Sequence, residues 1–493
     1  MFDVCVVGGG TMGLFLAAEQ SARGKSVILL EAGRSPGENK DQLLGSRPVR
    51  GSHRGSEQAW TTGLGGTSQL WGGQLWPWQD WEFAGLPQKG ISAWPLDFGD
   101  VSPYYERVLR ALGLPATHAQ IHGRFGFASK LPTVPVGDYS LKYSSWIDRS
   151  RRNFGKNAAI RAQLRNVTVR QGAVVNRINE TGSGTAHIEL RDDSGALSTV
   201  SAKKVVLAAG TLGNARILRN SEVSQDLPAL GRGFLDHVSK RIARVDVLDW
   251  NKFRAFSAPK SVRGVLASPR IVPGVTLLNA HQLLPCYAHW EFASPSSGAV
   301  ASLRALLRAG QTGEPRPPLS TTLANMWGES GELIEAVARS VRYRERPVPT
   351  SSKPYLRLDV QQPTRHDVQL TWSGNNAEPD FPNLSLAWRT GREEDATAHA
   401  ITHRLVDFLN SLDIGAAVHE LPPGDTFEDI FHMMGGTRMS GTPAEGVVDP
   451  DCKVFGTASV FVAGASVFPS GGMANPTFTA LALTARIGDK IAD

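Results

Sequence analysis

The chain has 493 residues, room for two or three domains at roughly 150 residues each, and its 41% hydrophobic and 20% charged content exclude a disordered or a membrane-spanning chain. The net charge of +6 is too dilute to imply nucleic acid. Its densest stretch, Arg149 to Arg170, has no aromatic platform beyond Phe154 and reads as a solvated helix face. Glycine is over-represented, at 51 residues against an average of about 7%, and marks backbone that bends sharply or approaches a ligand. Six of the 12 tryptophans, Trp60, Trp71, Trp76, Trp78, Trp81 and Trp94, crowd one segment. Cys5, Cys286 and Cys452 are too few and too scattered for a metal cluster or a disulfide framework. With no basic leader ahead of the first strand, a cytoplasmic protein is expected.

In chain order, Val4-Cys5-Val6-Val7 predicts a strand buried on both faces of a parallel sheet. Gly8, Gly10 and Gly13 then satisfy G-x-G-x-x-G: a tight turn, a close approach of backbone to pyrophosphate, and close helix–strand packing. A helix follows from about Thr11 to Arg23, with unpaired N–H groups at Thr11 and Met12 available to phosphate. Ser26 to Leu30 is the second strand. Glu31, followed by Ala32, ends it where a carboxylate can accept ribose hydroxyls. Together these features predict dinucleotide binding without separating FAD from NAD.

Gly63 to Gly73 places Gly65, Gly66, Thr67, Trp71, Gly72 and Gly73 in a segment suited to passing close to a flat ligand. Val167 to Val175 and Ala186 to Leu190 alternate like antiparallel strands. Val205 to Ala208 reads as another buried strand, turning at Ala209 and Gly210 into a helix that carries Asn214. Near the C-terminus, the strand Val460 to Ala463 leads through Gly464 and Ala465 to Asn475, Pro476 and Thr477. Pro476 opens a helix to about Ile491, with Asn475 as N-cap and proline at its first position. The positive end of that helix dipole lies beside Asn475. Among 12 histidines, His53, His237, His366 and His403 read as ordinary hydrogen-bonded residues.

These segments, with His432-x-x-Gly435, Leu230-Gly231-Arg232-Gly233-Phe234-Leu235-Asp236-His237, Gln362-Pro363 and Asn475-Pro476-Thr477 in register, resemble the glucose–methanol–choline (GMC) oxidoreductases. The C-terminal wording is closer to bacterial and pyranose-oxidising members than to choline or aryl-alcohol ones. The resemblance implies an α/β fold: a discontinuous Rossmann-like FAD-binding domain from about 1–100, 155–240 and 425–493, a connecting segment 101–154, and an α+β substrate domain with an antiparallel sheet over 241–424. It implies FAD, a catalytic pair on His432 and Asn475, and adenine held at the backbone of Val174. Leu70 stands where some members carry a flavin-linking histidine, so the FAD is expected to be noncovalent. Gly464 stands where many members carry an acid.

The implied chemistry is oxidation of a CH–OH group. His432 takes the hydroxyl proton, Asn475 donates to the developing alkoxide oxygen, and hydride passes to flavin N5. A positioned base contributes typically about 10²–10⁴-fold. Oxygen, a quinone or a protein would accept the electrons, because the chain has no haem-attachment or Fe–S cysteine spacing. A small-molecule alcohol or carbohydrate is the expected substrate: a sugar, glycoside or amino sugar leads, with an apolar alcohol or sterol behind it. A lyase that uses flavin structurally is the reading from another class. The tryptophans either stack on a sugar or pack at the domain junction. The segment 294–346 looks helical with loops and suggests a lid or an oligomer contact.

Overall fold

The computed structural model describes residues 1–38, 53–124, 138–293 apart from 183, 193 and 225, 350–373, 383–422 and 424–492, with isolated positions between 318 and 348. The segment 294–346 lies outside the described residues except at those positions.

The first sheet has seven strands. Phe2–Val7 pairs in parallel with Val27–Glu31 on one side and Leu197–Leu207 on the other. Leu197–Leu207 is shared along its length. Its first half takes Ala186–Arg191 antiparallel, while its last residues, Val205 to Leu207, take Val460–Val462 in parallel. That second pairing brings the C-terminal segment back to the strand ends where the first glycine loop lies. Helix Thr11–Ala22 packs against helix Pro476–Lys490, which also packs on helix Phe98–Ala111. Phe15, Leu16, Leu481 and Leu483 are buried in the core they share with the sheet.

The expected single strand Val167 to Val175 divides. Val167–Gln171 is a parallel edge strand beside Val27–Glu31. Gly172 then turns the chain at φ +69°, and Val174–Glu180 pairs antiparallel with Ala186–Arg191. The basic stretch Arg149 to Arg170 is likewise no single helix face. It comprises two short helices, Arg149–Arg152 and Ala158–Gln163, a helical turn and the edge strand.

The second sheet has nine strands. At its centre His237–Val247, Lys353–Gln361, Cys286–Ala293, Val265–Pro273 and Tyr139–Trp146 run antiparallel to one another. Besides the 241–424 region it draws in Tyr139–Trp146 from the expected connecting segment and Gln74–Leu75, which directly follows the Gly63–Gly73 segment. Side chains alternate across a pleated strand. Leu356, Leu358 and Val360 therefore point into an apolar core with Ile401, Leu405 and Leu409 of helix Arg392–Asn410. Arg357 and Asp359 point to the other face, where a cavity lies between this sheet and the C-terminal segment.

Candidate active site

The glycine loop after Phe2–Val7 bends at Gly8 (φ +104°), where a Cβ would lie 2.6 Å from the Ala208 carbonyl oxygen. At Gly13 an added Cβ would come within 1.8 Å of the Gly8 oxygen, so the third glycine serves helix–strand contact. The second glycine segment locks onto the first: Gly65 N–H donates to the Gly9 oxygen (2.8 Å), and Gly66 leaves no room for a Cβ beside Gly10. Glu31 ties three loops together. Its oxygens accept the N–H groups of Gly9 (2.6 Å), Gly33 (3.0 Å) and Gly63 (2.8 Å).

A cavity of about 590 Å³ opens at this junction. Its walls include Gly8, Gly10, Thr11, Met12, Glu31 and Ala32 from the first unit, and Gly66, Thr67, Trp71, Gly72 and Gly73 from the second. Ala209, Gly210, Gly464, Ala465, Pro476 and Thr477 complete it. Four expected residues do not line it. Gly13 and Gly65 hold loops together. Asn214 accepts from Ala209 N–H (2.8 Å) and donates to the Ala463 oxygen (3.2 Å), binding two strand ends. Val174 is flanked by the lining residues Ala173 and Val175. The cavity runs from the carboxylate of Glu31 to Asn475, whose buried Oδ1 has no hydrogen-bond partner. Glycine walls at one end and an unsatisfied polar atom at the other suit an elongated dinucleotide such as FAD.

Asn475 occupies the N-cap position of helix Pro476–Lys490, yet its side chain makes no cap hydrogen bond. Its Nδ2 instead donates to His432 Nε2 at 2.8 Å. On the opposite side of the imidazole, His432 Nδ1 lies 2.9 Å from His237 Nδ1. His237 Nε2 faces the carbonyl oxygens of Gly472 (2.7 Å) and Gly471 (3.2 Å), so it carries a proton and donates. A neutral His237 then has only a lone pair at Nδ1. This requires His432 Nδ1 to donate, and leaves His432 Nε2 as the unprotonated nitrogen. Burial, with His237 alongside, pushes His432 down to about 4 against the opposing pull of Asp236 and Asp359. His237, expected from the sequence to be an ordinary hydrogen-bonded residue, is instead in direct contact with His432 and part of the constellation.

The backbone at His432 is also held. Phe431 sits at φ +69°, a conformation that costs energy for a side-chain residue, and His432 N–H donates to Asp236 Oδ1 at 2.8 Å. Asp236 Oδ2 meets His53 Nε2 at 2.9 Å, and His53 Nδ1 accepts from Ser56 N–H. Asp429 approaches the same cluster, but its oxygens accept the N–H groups of Arg54 and Gly55. His53, Asp236 and Asp429 therefore form a satisfied hydrogen-bond network beneath the His432 loop.

His432 and Asn475 line both the first cavity and a second one of about 590 Å³, on the polar face of the second sheet. Gln74, Trp146 and Ile430 are the other residues shared by the two. The tryptophans divide. Trp78 and Trp94 stack edge-on with each other (5.2 Å) and with Phe468, and Trp94 Nε1 donates to Ser470 Oγ (3.0 Å), so they fill the junction behind the Gly471–Gly472 turn. Trp60 and Trp71 line the nucleotide-side cavity, Trp290 lines the other, and Trp146 stands where the two meet. Leu70 reaches the first cavity with no group that could link to a flavin.

The FAD dependent oxidoreductase family profile matches residues 3–269, more than half of the chain, and the GMC oxidoreductase profile matches residues 365–484. The chain belongs to the FAD-dependent GMC oxidoreductases. FAD is this family's cofactor, and the oxidoreductase is similar over a short stretch to a C-glycoside 3-oxidase of Arthrobacter globiformis. That stretch is 43% identical over 74 residues and spans 15% of this chain and only 14% of the relative. Pyridoxine 4-oxidase from Mesorbium loti shares the fold along 99% of both chains, with a TM-score of 0.57 and 17% identity. Among the described residues, no helix of this oxidoreductase is long and apolar enough to cross a membrane.

Proposed function

We propose that this protein oxidises a CH–OH group of a polyhydroxylated substrate (a sugar, glycoside or amino sugar) with noncovalent FAD in the first cavity. The observation that carries the reading is the pair His432 and Asn475, which stands where the nucleotide-side cavity meets the polar cavity of the second sheet. FAD, when bound, supplies the acceptor for the hydride leaving the substrate carbon. Gly8, Gly10, Thr11 and Met12 would cradle its pyrophosphate, with Glu31 near the ribose and the backbone around Val174 near the adenine. Gly464, Ala465, Pro476 and Thr477 would sit at the ring end.

The substrate hydroxyl enters from the second cavity. His432 Nε2, held as a lone pair by the His237 hydrogen bond, accepts its proton. Asn475 Nδ2, giving up its contact with His432 Nε2 as the hydroxyl arrives, donates to the oxygen as negative charge builds there, a form of electrostatic stabilisation that acts most strongly in a site shielded from water. The polar walls of the second cavity, with Ser239, Ser268, His289 and Asp359 among them, favour a substrate rich in hydroxyls over a sterol or an apolar alcohol.

The test is anaerobic. The purified flavoprotein is mixed in turn with sugars, glycosides, amino sugars and long-chain alcohols while the flavin absorbance is followed. Bleaching by a sugar-class substrate and not by the apolar alcohols is expected. Bleaching by none, together with aldehyde release from a cyanohydrin, would turn the reading to a lyase.

A further inference from the structure

The second cavity is cationic. Arg149, Arg270, Arg346 and Arg357 line it, against Asp359 as its only carboxylate among the described residues. Arg357 is compensated, with Nη1 3.3 Å from Glu291 and Nη2 3.8 Å from Glu428. Arg270 is not. It lies on strand Val265–Pro273, two residues from Ser268 and thus on the same face, and is only 7% exposed. Its Nε has no hydrogen-bond partner, and Nη1 reaches only the carbonyl of the adjacent Pro269 at 3.5 Å. The guanidinium stands 5.5 Å from the Tyr287 ring centroid, without a carboxylate in contact among the described residues. Asp359 is itself occupied by His289 Nε2 (3.3 Å) and by hydrogen bonds from Ser239 and Tyr287. Leaving a charge desolvated and unpaired is costly unless a ligand completes it.

We infer that Arg270 is an anion-binding subsite, and that the alcohol oxidised here carries a carboxylate or phosphate group which Arg270 grips while a hydroxyl lies at His432. A guanidinium fork matches either group. The inference rests on reading this cavity as the substrate site.

The experiment is isothermal titration calorimetry of the FAD-loaded protein with D-glucose, D-glucuronate and D-glucose 6-phosphate, for the wild type, Arg270→Gln and Arg270→Lys. Flavin content reports that each variant is folded. At least one anionic sugar should bind the wild type about 10- to 100-fold more tightly than glucose, the range of a charge-assisted hydrogen bond. That preference should vanish in Arg270→Gln and persist in part in Arg270→Lys. Which of the two anions is preferred separates a carboxylate from a phosphate. Equal affinities in the wild type, a preference surviving in Arg270→Gln, or no binding of either anion overturns the subsite. Calorimetry does not need turnover, so the two ideas fail separately. Neutral and anionic sugars bleaching the flavin equally would remove the subsite and leave the oxidation. Arg270-dependent anion binding without bleaching by any alcohol would do the reverse.

Discussion

His237 Nδ1 lies 2.9 Å from His432 Nδ1, and the carbonyl of Gly472 decides which of the two carries the proton between them. Two neutral imidazoles facing each other through Nδ1 need one donor and one acceptor. The glycine turn at 471–472 makes His237 the acceptor, and so makes His432 Nε2 the basic nitrogen beside Asn475. His237→Leu removes that acceptor without touching either cavity's walls. Flavin reduction by substrate should slow by about tenfold to a hundredfold, less than the full range of a lost base, with FAD content unchanged. His237 is also among the causes that hold His432 low, so the acid limb of the rate profile should move upward in the variant. An unaltered limb and rate would leave His237 a bystander.

The pH dependence has a definite sign. His432 is lowered to about 4, so its proton-accepting form is present above that value and lost below it. Stopped-flow reduction of the flavin should be flat from about pH 9 to about pH 5.5 and fall through a midpoint near pH 4. A midpoint at or above 6.5, where an exposed imidazole titrates, would contradict the burial account.

Glu31 makes a separate prediction. Its carboxylate accepts three backbone N–H groups from three loops, and a glutamine amide has a donor on one side. Glu31→Gln therefore leaves at least one loop N–H facing another N–H, at about 1–3 kcal/mol for an unsatisfied buried group. The purified variant should carry less FAD per chain and melt at a lower temperature. Wild-type flavin content would show that the loops close without the carboxylate.

Much of this site was legible in the sequence where the signal is local. Gly8, Gly10 and Gly13 are read by the strand before and the helix after, and Asn475-Pro476 announces a helix start. The helix-start pattern alone does not show the Asn475 side chain turning to His432, since a cap and a catalytic contact begin from the same residues; only the family resemblance paired the two. His237 and Asp236 lie almost 200 residues from His432 in the chain, and nothing in their own neighbourhood distinguishes a buried polar role from an active one. The second cavity has one local signal: Leu356-Arg357-Leu358-Asp359-Val360 alternates with period two, which places Arg357 and Asp359 on one face. Arg270, next to Pro269 on a strand that pairs with Tyr139–Trp146, depends on long-range pairing that no local pattern encodes.

The central claim is that His432 Nε2 takes the substrate proton. It is tested most directly by anaerobic stopped-flow reduction of His432→Ala, using whichever alcohol bleaches the wild-type flavin fastest. The account predicts full FAD content and reduction slowed at least about a hundredfold. Full FAD content with reduction within a few fold of wild type would contradict it.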